Sequence, residues 1–195
     1  MKQYQDLLQQ IINNGTWQDN RTGIRTLMIP GAMMQFDLTK GFPIVTSKTV
    51  PFKVVAGELI GFINAVDNAE DFRTLGVNIW DQNANHNDAW LANPNRQGLD
   101  DLGAIYGVQW RFWPGGSPAD SRDRRYSIDQ LAKACDDLIH NPQSRRIIVT
   151  AWNPSQLHLM ALPPCHLLFQ FLVTQNDNRL HLTMYQRSCD MFLGV

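Results

Sequence analysis

The chain is expected to fold as an α+β protein, a mixed or antiparallel β-sheet with helices packed on it. Two observations carry that expectation. Apolar residues recur at helical spacing in three segments, near 2–14, 51–63 and 127–140. Strand-like runs fill 145–152, 165–174 and 179–187, and Gln175-Asn176-Asp177-Asn178 separates the last two as a hairpin turn would.

Taken in order, Tyr4, Leu7, Leu8, Ile11 and Ile12 predict an amphipathic first helix, with Gly15 as its stop. Short strands are expected over Thr26 to Ile29 and Met33 to Leu38, broken by Pro30-Gly31, with a further extended piece from Ile44 to Thr46. Pro51 stands where a helix would begin, and Val54, Val55, Glu58, Leu59, Phe62 and Ile63 give that helix an apolar face. Residues 81–101, rich in Asn, Asp and Gly, read as a long surface excursion, and 115–125 as a second. Ser127 with Gln130 forms a capping box for a helix whose inward face is Ile128, Leu131, Ala132, Cys135, Leu138 and Ile139.

Composition narrows the function classes. A length of 195 residues suits one domain, and 44% hydrophobic residues mark a globular chain. The formal net charge of −1 excludes a general polyanion-binding surface, so DNA is not an expected partner. No run approaches the ~18 apolar residues of a membrane span. The polar start Met1-Lys2-Gln3-Tyr4 is no signal peptide, so a cytoplasmic protein without a membrane partner is expected. Cys135, Cys165 and Cys189 are odd in number and lack CxxC spacing, as reduced thiols would. The histidines show no zinc-ligand spacing, and no metal is expected.

The chemistry centres on Leu162-Pro163-Pro164-Cys165-His166, which leads into an apolar run. Two prolines fix the backbone ahead of a thiol, which suits a positioned nucleophile. An ordinary thiol, with a pKa of ~8.5, is only slightly ionised near neutrality and needs cations or an ordered partner. Arg145, Arg146 and Arg187 offer the cations. His166, on the opposite strand face, is a poor direct base and is expected to order the site. Arg187 shares a face with His181, Thr183 and Tyr185; beside a strand buried on both sides it would need an anion, such as a phosphate monoester. Glu58, among apolar neighbours, is either paired, exposed at the stripe's edge or held with a shifted pKa. Trp80, Trp110, Trp113 and Trp152 are each either core or a stacking wall for a flat heterocycle, and Cys135 reads as core.

The segments Asp19-Asn20-Arg21-Thr22-Gly23, Gly41-Phe42-Pro43, Glu58-Leu59, Ile79-Trp80-Asp81, Tyr106-Gly107, Gln109-Trp110-Arg111, Ser144-Arg145-Arg146-Ile147-Ile148-Val149, Pro164-Cys165-His166 and Gln186-Arg187-Ser188-Cys189-Asp190 together resemble the thymidylate synthase family over essentially the whole chain. The resemblance implies conversion of dUMP to dTMP, with 5,10-methylenetetrahydrofolate supplying the one-carbon unit and the hydride. It implies that Cys165 adds to C6 of the uracil, that Glu58 and Tyr106 organise water and proton transfers, and that His166 belongs to the catalytic set. Arg21, Arg187 and Ser188 resemble phosphate ligands from one chain, and Arg145 and Arg146 those donated by a partner, which makes a homodimer the expected assembly. Gln186, Cys189 and Asp190 stand with the substrate-binding residues, and Ile79, Trp80 and Asp190 resemble the folate wall.

The chain departs from the family pattern at Pro51, Gly61 and Asn83, where a histidine and two tryptophans are common, so the nucleotide pocket is the better preserved. Residues 1–195 are expected to be a single catalytic domain, incomplete at its C-terminus, with a variable small-domain excursion around 81–125. The sequence ends at Val195, before the family's Pro-Phe-Asn segment and His-x-Tyr pair, so the chain alone is expected to have little turnover. The alternatives are a pyrimidine deoxynucleotide hydroxymethylase, in which water rather than hydride completes the reaction, and a noncatalytic nucleotide- or RNA-binding remnant.

Overall fold

A computed structural model of the chain describes residues 1–20, 23–115, 124 and 126–192. Backbone packing divides the chain into two units, residues 1–51 with 190–195, and residues 52–189.

In the first unit, helix α1 (Lys2–Asn14) is followed by the antiparallel pair β1 (Thr16–Gln18) and β2 (Thr26–Met28). The Tyr4 hydroxyl donates to the Met191 carbonyl at 2.6 Å, tying α1 to the distant end of the chain. Gly15 ends α1, but with extended backbone rather than the left-handed turn a glycine stop usually supplies. Its need for no side chain is steric, since a Cβ there would lie 2.6 Å from Leu27 Cγ. The strand expected over Met33 to Leu38 does not form. The Asp37 carboxylate accepts the Thr39 N–H at 3.1 Å and its hydroxyl at 2.7 Å, which turns the chain into a short 3₁₀ segment, Leu38–Lys40. Ile44 to Thr46 is likewise no strand, because the Ile44 N–H turns back to the Phe42 carbonyl.

The second unit begins with α2 (Phe52–Ile63), as expected, but its inward face is rotated from the predicted stripe. Gly57, Gly61 and Phe62 are buried, whereas Val55, Leu59 and Ile63 are exposed. The cause is close approach of the next helix, α3 (Ala69–Thr74). A Cβ on Gly61 would stand 2.8 Å from Phe72 Cδ1 and closer still to Cε1, and one on Gly57 would meet the Leu75 carbonyl at 2.7 Å. Asn68 caps α3 by accepting the N–H groups of Glu70 and Asp71.

Residues 81–101 are not the plain surface excursion the composition implied. They form α4 (Asp81–Asn85) and α5 (Asp88–Leu91), and they bury Ala84, Trp90, Asp100 and Asp101. The Asn and Asp residues stay inside because they are paired: the Trp90 indole donates to the Asp101 carbonyl, and the Asp101 carboxylate accepts the N–H groups of Gln97 and Gly103. Helix α6 (Tyr106–Arg111) follows, with Tyr106 to Trp110 all buried. Buried amides fix it: Gln109 donates to the Ala104 carbonyl and the Gln156 side chain, and accepts from Asn153.

Strands β3 (Trp113–Pro114) and β4 (Ser127–Ile128) form a short antiparallel pair, and most of the second expected excursion, 116–123 and Arg125, lies outside the described residues. Helix α7 (Gln130–His140) is capped by Asp129, which accepts the Ala132 N–H at 2.9 Å. The expected cap, Ser127, belongs to β4, and Gln130 instead ties α7 to the carbonyls of Gln109 and Thr150. Leu131 and Leu138 are half-buried as expected, but Ala134 rather than Cys135 completes the inward face, and Cys135 is exposed.

The main sheet is antiparallel, β5 (Ile148–Thr150), β6 (His166–Thr174) and β7 (Arg179–Gln186), in the order β5-β6-β7. Pairings of Val149 with Phe169 and Phe169 with Met184 place Val149, Phe169, Phe171, Leu182 and Met184 on one face, with Ile148, Leu168, Gln170 and Tyr185 on the other. Strand β6 is half-buried rather than covered on both sides, and β7 is exposed along nearly its whole length. Among the described residues no helix is long and apolar enough to cross a membrane.

The Gly61 to Phe72 approach gives a first test. Gly61→Ala should lower stability by about 1–3 kcal/mol through overpacking, read by urea denaturation, and adding Phe72→Leu should recover part of the loss. A Gly61→Ala chain as stable as the parent would contradict the packing.

Candidate active site

Phe62 is the hub of an aromatic cluster that joins α2, α3, α6 and the start of β6. Its ring centroid lies 4.9 Å from Tyr106, 5.6 Å from Trp110, 5.8 Å from Phe72, 5.9 Å from Trp80 and 6.0 Å from His166. Such spacings are those of offset and edge-to-face pairs.

Tyr106 and His166 stack with centroids 4.1 Å apart and planes inclined by 21°. At the far end of its ring, the Tyr106 hydroxyl accepts the Cys165 N–H at 2.7 Å. Burial pushes the Tyr106 hydroxyl well above its ordinary pKa; the Cys165 N–H opposes that shift, and repulsion from Cys165 and Glu58 adds to it. The phenol therefore keeps its proton near neutrality. Burial lowers His166 from 6.5 to about 4, so its ring is neutral there and packs as a flat plate against Tyr106.

Cys165, half-buried, stands at the start of β6, where a register shift between His166 and Leu168 breaks the regular pairing. Arg187 closes over this irregularity. Its backbone N–H donates to the Cys165 carbonyl, its Nε to the Pro164 carbonyl at 2.8 Å, and its Nη2 to the Pro163 carbonyl at 3.0 Å. The same Nη2 lies 3.6 Å from Cys165 Sγ, and the guanidinium faces the Trp152 ring at 5.7 Å. The two prolines thus supply acceptors as well as rigidity. Arg187 is exposed, so the expected desolvation argument for a bound anion fails; carbonyls orient this cation, and Nη1 has no partner among the described residues.

Glu58 is paired and carries a shifted pKa. Its carboxylate accepts the Trp80 indole N–H at 2.9 Å, which steadies the anion, but burial is the larger effect and raises the group above 4.5. Trp80 is 4% exposed, its ring stacked on Phe72 with a 22° inclination, so its faces are filled by protein. Its neighbour Ile79 is 51% exposed.

Arg145 and Arg146 are exposed just before β5, and their side chains make no hydrogen bond or ion pair among the described residues. Gln186 donates to the Ser188 carbonyl, Ser188 and Cys189 are exposed, and the Phe192 N–H donates to the Asp190 carboxylate, which belongs to the first unit. Arg21 lies outside the described residues. Cys165, His166, Tyr106 and Arg187 are therefore brought together, and Glu58 adjoins them electrostatically through Tyr106. Sequence reasoning missed Phe62 as the hub and the proline carbonyls as acceptors; the Pro-Pro pair, read for its acceptors, would have signalled the second. Among the described residues no group of three or more His, Cys, Asp or Glu side chains is placed to hold a metal ion.

The imidazole's burial sets a pH dependence. Between pH 6.5 and about 4 the unfolded chain binds a proton at His166 and the folded chain does not, so this stabilisation is complete above 6.5 and is lost as pH falls towards 4. His166→Phe should remove that dependence, and the stability difference between parent and variant should change by roughly 3 kcal/mol across the window in urea titrations. A constant difference would contradict a buried neutral ring.

Comparison with known proteins adds an independent line. The sequence model described as thymidylate synthase matches residues 2–195. A thymidylate synthase of Pseudomonas putida is 49% identical over 222 residues, covering 100% of this chain and 69% of that protein. Thymidylate synthases of Bordetella parapertussis and Pseudomonas syringae pv. tomato are 47% and 44% identical, with the same coverage.

Proposed function

This chain belongs to the thymidylate synthase family, methyltransferases that convert dUMP to dTMP, and from that premise we propose that Cys165 is its nucleophile. The observation that carries the assignment is the fixed thiol: Tyr106 holds the Cys165 N–H while Arg187 reaches the Cys165 carbonyl and Sγ. The co-substrate of the family, 5,10-methylenetetrahydrofolate, supplies the one-carbon unit and the hydride.

In the proposed sequence the Sγ–C6 bond forms and the C5=C6 electron pair moves to C5, which becomes the carbon nucleophile. The methylene bonds to C5 while still held by the folate amine; loss of the C5 proton to a base expels that amine as tetrahydrofolate and leaves an exocyclic methylene. Hydride from the tetrahydrofolate reaches that carbon and leaves dihydrofolate, the C5=C6 bond is restored and Sγ leaves C6. Arg187, with Nη1 uncommitted among the described residues, Ser188 and Arg21 hold the phosphate, and that binding energy keeps the base over the thiol. For Arg21 the support is the family motif alone, as it is for Gln186, Cys189 and Asp190. Glu58 and the protonated Tyr106 handle proton and water movements around the ring, which suits a carboxyl raised by burial beside a phenol that keeps its proton. Exposed Ile79 offers apolar surface to the folate, and Trp80 supports it from behind.

Arg145 and Arg146 reach a second subunit's site in this reading. Their support is exposure without partners among the described residues, at the edge of a sheet face carrying Ile148, Leu168 and Tyr185, all exposed. An isologous dimer built on that face would give each site the other chain's arginines. Residues 1–195 then act as one catalytic domain, the segment around 81–125 being its variable part, in keeping with a family match that runs unbroken over both units. A cytoplasmic location suits three free thiols.

The relatives favour the synthase over the hydroxymethylase and the noncatalytic remnant. Any turnover of dUMP with 5,10-methylenetetrahydrofolate should give dihydrofolate in step with dTMP, and Cys165→Ser should give neither. Release of tetrahydrofolate with a hydroxymethylated nucleotide, or product from Cys165→Ser, would overturn the assignment.

A further inference from the structure

Arg73, near the end of α3, stood out in no sequence pattern, yet it joins three segments. Its Nη1 donates to Asp81 at 2.6 Å and to one oxygen of Asp100 at 3.0 Å, and its Nη2 donates to the other oxygen of Asp100 at 2.8 Å. Asp81 directly follows Trp80 and opens α4, while Asp100 lies on the segment that returns to α6.

Asp100 is held from every side. Its N–H donates to the Asn85 side chain at 3.0 Å, its carbonyl accepts the Ala69 N–H at 2.8 Å, and its carboxylate accepts from Asn85 at 2.7 Å. Its backbone adopts φ 61°, a left-handed conformation that a non-glycine residue keeps only where its surroundings fix it. The carboxylate is nearly buried, with 9% of the side chain exposed, so it needs the guanidinium beside it. Two neighbouring α3 residues thereby grip the Trp80 region: Phe72 stacks on the indole ring, and Arg73 holds the carboxylate of the next residue along.

We propose that Arg73 is a positioning residue, whose simultaneous grip on Asp81 and Asp100 fixes the turn into α4 and so aims the Trp80 indole N–H at Glu58. The consequence for catalysis rests on the reading that Glu58 works on the bound nucleotide, whereas the geometric part does not. Arg73 and Asp81 are 39% and 35% exposed, so solvent screens that arm, and its effect is on geometry more than on stability. A lysine could engage one carboxylate but not reproduce the fork.

The test is solvent exchange of the Trp80 indole proton by NMR, with the Phe171 amide, bonded to the Ile147 carbonyl in the main sheet, as reference. In Arg73→Met the indole should exchange on the order of tenfold faster while the Phe171 amide is unchanged, and Arg73→Lys should restore part of the protection. Asp81→Asn, which leaves the Asp100 pair intact, should give a smaller change of the same sign and serves if Arg73→Met does not fold. Indole exchange that stays at the parent rate in the folded variants, or that rises only together with the Phe171 amide, would overturn the proposal. Protection of Cys165 from alkylation by dUMP, read on the same proteins, separates the two readings. A parent that dUMP does not protect but whose indole still responds to Arg73→Met counts against the function and for the positioning. Protection lost in Arg73→Met without an indole change counts the other way.

Discussion

Burial of Tyr106 is the constraint on which the rest of the site depends. Its ring stacks on His166 and packs against Phe62, and its helix is fixed by the Gln109 amide network, so the hydroxyl has one place to be. That hydroxyl receives the Cys165 N–H, which at the start of β6 has no ladder partner of its own. The neighbouring Cys165 carbonyl is taken by the Arg187 N–H. A rigid apolar core thus delivers a single polar atom to the point where the sheet pairing fails, and the thiol is oriented by that atom rather than by the strand.

Charge is handled by two different devices. Around Cys165 the cation is oriented by neutral carbonyls, so Arg187 is aimed without being paired to a carboxylate among the described residues. On the opposite flank Arg73 is matched to two carboxylates and is spent on structure. Between them lies Glu58, which burial makes harder to ionise and which the Trp80 indole steadies. The departure at Gly61 fits this picture. Phe72 fills the space beside that glycine and stacks on Trp80, so the absence of a large side chain at 61 is matched by a large one on α3.

Much of this was legible in the sequence because local rules and tertiary packing agree there. The β6–β7 hairpin, α1, α2 and the placement of Cys165 at a strand start follow from apolar runs, turn residues and proline. The errors arise where side chains compete with those rules. The inward face of α2 was misread because its glycines, which carry no hydrophobic signal, are the closest-packed positions. The polar stretch around Asp100 was read as surface because Asp100 pairs with Arg73 and Asn85, 27 and 15 residues away, across segments no local window joins. Asp129 displaced Ser127 as the α7 cap because Ser127 and Ile128 pair with β3 instead. In the site, the approach of Arg187 to the Cys165 thiol was legible from residue type, whereas Phe62 looked like any core residue.

The measurement that bears most directly on the central claim is alkylation of Cys165 by iodoacetamide, followed by mass spectrometry with exposed Cys135 as an internal reference. If the fixed thiol lies in a dUMP site, dUMP should slow alkylation at Cys165 and leave Cys135 unchanged, and deoxyuridine, lacking the phosphate that Arg187 would hold, should protect far less. Equal Cys165 alkylation with and without saturating dUMP would contradict the account.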